Sequence, residues 1–302
     1  MIGRLTTGLK HSQRFWMVLR LSAVCAAICL LSGCIQDNTL INIKPDGSGT
    51  IEETVLMENS FIDMMQGLTK GTSEASGQDA AGPAEQRPKN DESFIAEMME
   101  KAQMNAKDFG EGVKFVSAKP AKTQTASGYT AIYSFDDISK VTLNQNPGKK
   151  TPGESKKEGV DAGAAKNDMI RFAFKDGPVS RLCVTMPSPK TEDKKDKKEE
   201  TVQKDQADDP QAIEMLKSMF KDMKVNIVLN MMGDIVSTNA TYRTDNKITL
   251  IDMDFGKLIN DMALLKKINQ AQPQSVEEVK AMVKGMEGLK LECTNPVTVD
   301  FK

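Results

Sequence analysis

Histidine occurs once in the 302 residues, at His11, and tryptophan once, at Trp16. Beyond residue 33 the chain has no imidazole at all. That excludes serine or cysteine nucleophiles activated by histidine, and most zinc and copper centres, which favour imidazole ligands. A run long enough to span a bilayer is missing too. The apolar stretch Leu21–Leu31 (LSAVCAAICLL) has eleven residues, where a spanning helix needs ~20. Positive charge is not in excess, with 40 Lys and Arg against 42 Asp and Glu. A mildly acidic chain of this kind is a poor partner for nucleic acid.

The N-terminus is organised differently from the rest. Arg4, Lys10, Arg14 and Arg20 precede the apolar run without any acidic residue, and Leu31, Ser32, Gly33 and Cys34 follow it. A basic region, a short apolar core and a small-residue exit describe an export signal rather than a membrane span. The four closing residues resemble the lipobox of bacterial lipoproteins. That resemblance implies cleavage before Cys34, diacylation of its sulfur and removal of residues 1–33. Two or three acyl chains anchor firmly, because each buried methylene contributes ~0.8 kcal/mol. Ile35, in place of an Asp after the cysteine, looks like an outer-membrane address in a two-membrane host. The expected location is thus extracytoplasmic and membrane-anchored, with residues 34–38 as tether. The mature chain keeps 36 basic residues and 42 acidic ones.

Cleavage also removes Cys25 and Cys29, leaving Cys183 and Cys293 beside the lipidated Cys34. An even pair in an oxidising compartment favours a disulfide, Cys183 to Cys293, with two separate buried thiols as the alternative.

From residue 39 to 302 the sequence reads as one α+β domain, antiparallel and sheet-rich, with a few amphipathic helices. Three inserts, 69–92, 144–167 and 187–208, are too poor in apolar side chains to offset the entropy of ordering and are expected to be disordered loops. Period-two patterns mark strands at Thr39–Lys44 and Thr50–Met57 around PDGSG, at Val113 and Phe115, and at Tyr129–Phe135. They recur at Ile170–Phe174 and Leu182–Met186, and at Val225–Leu229. Ile235–Tyr242 and Ile248–Met253 are expected to pair through the Thr244-Asp245-Asn246 turn. On the second strand Ile51, Val55 and Met57 share a face, with Glu53 the exception. Helices are expected at 58–66, at 93–107, from Asp209-Pro210 through Phe220, and after Ser275, where Glu278 completes a capping box.

The hairpin INIKPDGSGTIEETVLM and the run VNIVLNMMGDIVSTNATYRTDNKITLIDMDFGKL resemble the opening and closing strands of the LppM-domain lipoproteins. The resemblance implies a β-rich α+β domain outside the cytoplasm, with no established catalytic residues and, for some relatives, a lipid- or envelope-binding role.

Candidate chemistry is sparse. Asp252 and Asp254 stand two apart, on one side of a strand, where paired carboxylates could bind calcium or exchange protons. Asp254 is equally well placed to start a helix. DGSG at 46–49 precedes a strand and is therefore a turn rather than a phosphate cradle. Of the methionines, Met215, Met219 and Met223 share one helix face. Core filling is their default role, and a pliable apolar groove for lipid or peptide is the alternative. No cofactor or metal is expected. Two functions of different class emerge: a non-enzymatic binding or scaffold module at the envelope, for lipid or an envelope protein, and a carboxylate-dependent hydrolase of wall or glycan. The second needs a polar cleft with two acids ~5–9.5 Å apart, and no such pair is visible in the sequence, so the first is expected.

Overall fold

A computed structural model describes residues 35–63, 91–144, 169–187, 220–260 and 276–302, with 214 and 217 besides. Alternating burial along β1 (Ile35–Ile43) and β2 (Gly49–Glu58) places Ile41, Ile43, Ile51, Val55 and Met57 on one side. The turn between them is the one PDGSG demands. Asp46 Oδ1 accepts from Ser48 N at 2.9 Å and from Ser48 Oγ at 2.8 Å, and Gly47 has φ 82°, a region L side chains avoid. The Ser48 bonds, hydroxyl first, lower the Asp46 carboxyl below its ordinary pKa.

The remaining strands are β3 (Lys114–Lys122), β4 (Ala126–Phe135), β5 (Thr142–Asn144), β6 (Met169–Lys175), β7 (Ser180–Thr185) and β8 (Lys224–Met231). They continue as β9 (Ile235–Thr238), β10 (Arg243–Thr244), β11 (Lys247–Asp254), β12 (Leu289–Leu291) and β13 (Val297–Phe301). They build an eight-stranded sheet in the order β10-β11-β8-β1-β2-β4-β3, with β12 also on β11, and a five-stranded sheet β5-β6-β7-β13-β9. The molecule is α+β and sheet-rich. The smaller sheet is antiparallel throughout, whereas the larger one is mixed: β1 and β8 run parallel, Gln36 beside Lys224 through Ile43 beside Met231. Parallel neighbours need a long crossover, and the chain between β1 and β8 supplies one by building β5, β6 and β7 of the second sheet on the way.

Helix α1 (Asp91–Met104) buries Ile95, Met98 and Ala102, a stripe at helical spacing. It packs on β3 and β4 and passes into a 3-10 turn, Asn105–Phe109. Gly110 ends it at φ 120°, where a Cβ would collide with the Lys140 carbonyl. Residues 59–63 are helical, α2 spans Phe255–Asn260 and α3 spans Val276–Val283. Asp137 N-caps a 3-10 turn at Ile138–Lys140, accepting from Ser139 N at 2.9 Å.

The sheets share one core. Ile170, Leu182, Val184, Val297, Val299 and Phe301 of the smaller sheet join the inner face of the larger one. The Ser180 hydroxyl of β7 donates to the Pro45 carbonyl at 2.6 Å, so the second sheet holds the β1–β2 turn. Phe174 N of β6 donates to Ser139 Oγ at 3.0 Å and, within the larger sheet, Met232 N donates to the Ile43 carbonyl at 2.7 Å.

Several expectations are corrected. Ile235–Thr238 does not pair with β11 but with β13 in the other sheet; Arg243 and Thr244 pair with β11 around the expected turn, and the Tyr242 carbonyl accepts from Thr249 N at 2.9 Å. The tether at 34–38 is strand from Ile35 onward, because Ile35 already faces Met57 and Gln36 faces both Leu56 and Lys224. Asp91 and Glu92 belong to α1 and Asn144 to β5. The rest of the expected inserts, residues 69–90, 145–167 and 188–208, lies outside the described residues, as do the leader and Cys34.

Candidate functional site

The inward face of the eight-stranded sheet carries a polar group where an apolar one would suffice. β2 sends Glu53 inward between Ile51 and Val55, and its side chain is 1% exposed. β4 brings two tyrosines to it: Tyr133 donates to Glu53 Oε2 at 3.3 Å and Tyr129 at 3.4 Å. The Tyr133 hydroxyl also lies 2.9 Å from the Ala102 carbonyl in the last turn of α1, which ties the helix to the sheet. On β1, Thr39 sits opposite Glu53, and its hydroxyl donates to Asp37 Oδ1 at 3.4 Å; both residues are buried. Phe109 and Phe115 pack on the Tyr133 ring, with centroids 4.8 and 5.9 Å away. Burial, and then the charge of Glu53, push both tyrosine hydroxyls well above their ordinary pKa, so they remain donors. The cluster can orient strands and helix. Sealed beneath α1, it offers no carboxylate to a bulky substrate such as a glycan.

A second buried acid holds a loop. Glu292, 2% exposed, accepts from Thr241 N at 2.5 Å, Thr241 Oγ1 at 2.9 Å and Thr294 N at 2.8 Å. Burial raises its pKa, but these bonds outweigh burial and leave it below the ordinary value. Glu58, at the end of β2, is shifted the other way by burial and then by neighbouring Asp222.

At the same end of the larger sheet lies a depression of about 630 Å³, lined by Lys257, Asn260, Met282, Lys284, Gly285, Met286 and Glu287. α2 and α3 build its walls. Asp254 caps α2 by accepting from Lys257 N at 3.2 Å, and Asp254 N donates to the Gly288 carbonyl at 2.8 Å. Lys257 and Glu287 pair across the depression at 3.3 Å. The lining mixes ammonium groups with flexible thioethers, suited to contacts with a polar headgroup or peptide rather than to acid–base chemistry.

The residues singled out from sequence fare unevenly. Asp252 pairs with Lys290 at 3.3 Å and Asp254 with Lys224 at 3.4 Å, so each carboxylate has its own partner and they build no joint site. Among the described residues no group of three or more His, Cys, Asp or Glu could hold a metal. Met215 and Met219 lie outside the described residues. Met223, half-buried, immediately precedes β8, its carbonyl accepting from Phe255 N at 3.0 Å.

The expected disulfide is absent: Cys183 and Cys293 are both free. Cys183 alternates with buried Leu182 and Val184 and so lies on the outer face of β7, opposite Thr298. Cys293 lies in the loop after β12, where its thiol donates to the Leu291 carbonyl at 3.4 Å. Burial, then the charge of Glu292, raise its pKa. The sealed cluster around Glu53 was not identified from sequence. Its signal in the sequence is a charged residue, Glu53, at an inward register position of an otherwise apolar face.

No family model matches the chain. No curated protein matches it either. Among solved structures, the NMR structure of the folded domain of LppM from Mycobacterium tuberculosis is similar at 9% identity, over 89% of this chain and 90% of that one, with a TM-score of 0.30. At that TM-score neither fold nor function is carried over.

Proposed function

We propose that the protein is a membrane-anchored envelope lipoprotein whose folded domain is a non-enzymatic binding or scaffold module for lipid or an envelope protein. One observation carries the reading: a basic, apolar and small-residue leader ending in Leu31-Ser32-Gly33-Cys34, the pattern that precedes a lipidated cysteine. In a two-membrane host, Ile35 after the cysteine favours the outer membrane. The non-enzymatic part is supported by the chemistry on display. The chain beyond the leader has no imidazole, Glu53 is sealed, and Asp252 and Asp254 are paired separately with lysines. The depression beside α2 and α3 presents lysines and methionines with a single carboxylate.

Two measurements test the reading. Cys34→Ser should abolish labelling by a radioactive fatty acid, leave residues 1–33 attached and move the protein out of the acylated membrane fraction; unchanged labelling would refute the anchor. Lipid extraction of the purified mature protein, with cross-linking mass spectrometry of its membrane, should recover a lipid or an envelope protein in stoichiometric amount. Release of sugars from purified wall material, lost on substituting a single exposed acid, would instead establish the hydrolase.

A further inference from the structure

We infer that the domain docks end-on against the bilayer, through the rim of the eight-stranded sheet at which β1 begins. The inference rests on the anchor proposed above and adds an orientation to it. If Cys34 carries the acyl chains, the next residue, Ile35, is already paired with Met57, and Gln36 is held on both sides by Leu56 and Lys224. Adjacent Cα atoms stand about 3.8 Å apart, so no slack separates the lipid from the folded sheet.

The position of β1 turns this into a surface. At this rim it is the central strand, with β8, β11 and β12 on one side and β2, β4 and β3 on the other. Neighbouring strands are ~4.8 Å apart, so the anchor sits near the middle of the rim with ~14 Å of sheet to each flank. Tipping either way presses one flank onto the membrane. One flank carries the turn between β3 and β4, where Thr125 is exposed and its carbonyl accepts from Asn59 N at 2.9 Å. The other carries Lys221, Lys224, α2, α3 and the depression holding Lys284, reached through the row Gln36, Lys224, Asp254. Lys44, just past the opposite end of β1, is nine residue steps from Ile35, roughly 30 Å at ~3.3 Å per residue.

Charge does not set this orientation. On the rim Lys221 pairs with Asp222 at 3.4 Å, Lys224 with Asp254 at 3.4 Å and Lys257 with Glu287 at 3.3 Å. Such a surface contacts zwitterionic phospholipid headgroups as readily as anionic ones, and chain length alone holds it there.

The test uses the full processed chain with Cys183→Ala and Cys293→Ala, and a fluorescent label on Thr125→Cys, Lys284→Cys or Lys44→Cys. Each protein is reconstituted in phosphatidylcholine vesicles containing a headgroup-nitroxide lipid. The labels at 125 and 284 should lose most of their emission and the label at 44 little. The contrast should survive 0.5 M salt, because screening acts only on charge. Twelve Gly and Ser residues inserted between Cys34 and Ile35 should remove it. Equal quenching at all three positions, or a contrast that disappears in salt, would overturn the end-on orientation while leaving the anchor intact. A chain whose N-terminal peptide carries no acyl mass would overturn both.

Discussion

The two sheets contribute to one core, yet they bury different chemistry. The five-stranded sheet turns inward Ile170, Phe172, Leu182, Val184, Val297, Val299 and Phe301, and its buried polar residue, Ser180, sits at the margin and reaches across to Pro45. The eight-stranded sheet buries Asp37, Thr39 and Glu53 among its aliphatic side chains and satisfies Glu53 with two tyrosines from β4. Apolar burial stabilises without direction, whereas a buried hydrogen-bonded acid tolerates few alternative registers. Slipping β2 by one residue would move Glu53 to the solvent face and Glu52 or Thr54 inward, and the tyrosines would lose their acceptor. The larger sheet, which meets β1 and the proposed anchor, is thus the one whose register is specified by polar contacts.

The comparison can be broken first on its apolar side. Phe301 is fully buried, and Phe301→Ala should cost ~3–5 kcal/mol through lost burial and a residual cavity, read as a lower urea midpoint at unchanged slope. Because the core is shared, unfolding should remain a single transition by tyrosine fluorescence and circular dichroism. Two separated transitions would mean that the sheets unfold independently.

On the polar side the effect is smaller. Tyr133→Phe removes the donor to Glu53 and leaves the buried Ala102 carbonyl without that hydroxyl, which should cost ~1–3 kcal/mol. Pairing it with Glu53→Leu in a double-mutant cycle should show non-additivity, since the two groups act on each other. Additive losses would make the cluster incidental.

A pH-dependent difference follows at the outer face of the smaller sheet. Arg181 forms a bidentate pair with Asp300, Nε to Oδ1 at 2.6 Å and Nη2 to Oδ2 at 2.8 Å. The Arg181 bond holds the Asp300 carboxyl at about 2, below its ordinary 3.8. A carboxyl lowered in the folded state stabilises above its ordinary value, and that contribution is lost as pH falls through the folded one. Wild type should therefore lose its advantage over Asp300→Asn between pH 3.8 and about 2. A constant difference across that range would contradict the pairing.

The smallest expected effect is none. With Cys183 and Cys293 free, a reducing agent should leave the melting temperature unchanged, and both thiols should be titratable in the unreduced, denatured protein. A downward shift would restore the disulfide.

Much of the fold was legible because period two is a strong signal where one face is wet. β1, β2, β4, β6, β7, β8 and β11 all lie on alternations read directly, and Asp254 caps the helix it is placed to start. What escaped was non-local. Nothing in the local pattern of Lys224–Met231 says that its neighbour is β1, almost two hundred residues earlier, or that it runs parallel to it. Val297–Phe301 alternates as plainly as any strand, but a terminal five-residue segment carries too short a pattern to announce its place between β7 and β9 in the smaller sheet. Proximity in sequence places Ile235 in the nearest hairpin, whereas the fold pairs it with Phe301 of β13. The same limit applies to the candidate site: Glu53 looked like a flaw in an apolar face until Tyr129 and Tyr133, more than seventy residues on, came beside it.

The anchor is tested most directly by the intact mass of the protein purified from its own membranes. A chain beginning at residue 34 and carrying the mass of two or three acyl chains on Cys34 is the expected result. A chain that retains Met1–Gly33, or that begins at residue 34 with an unmodified cysteine, would contradict it.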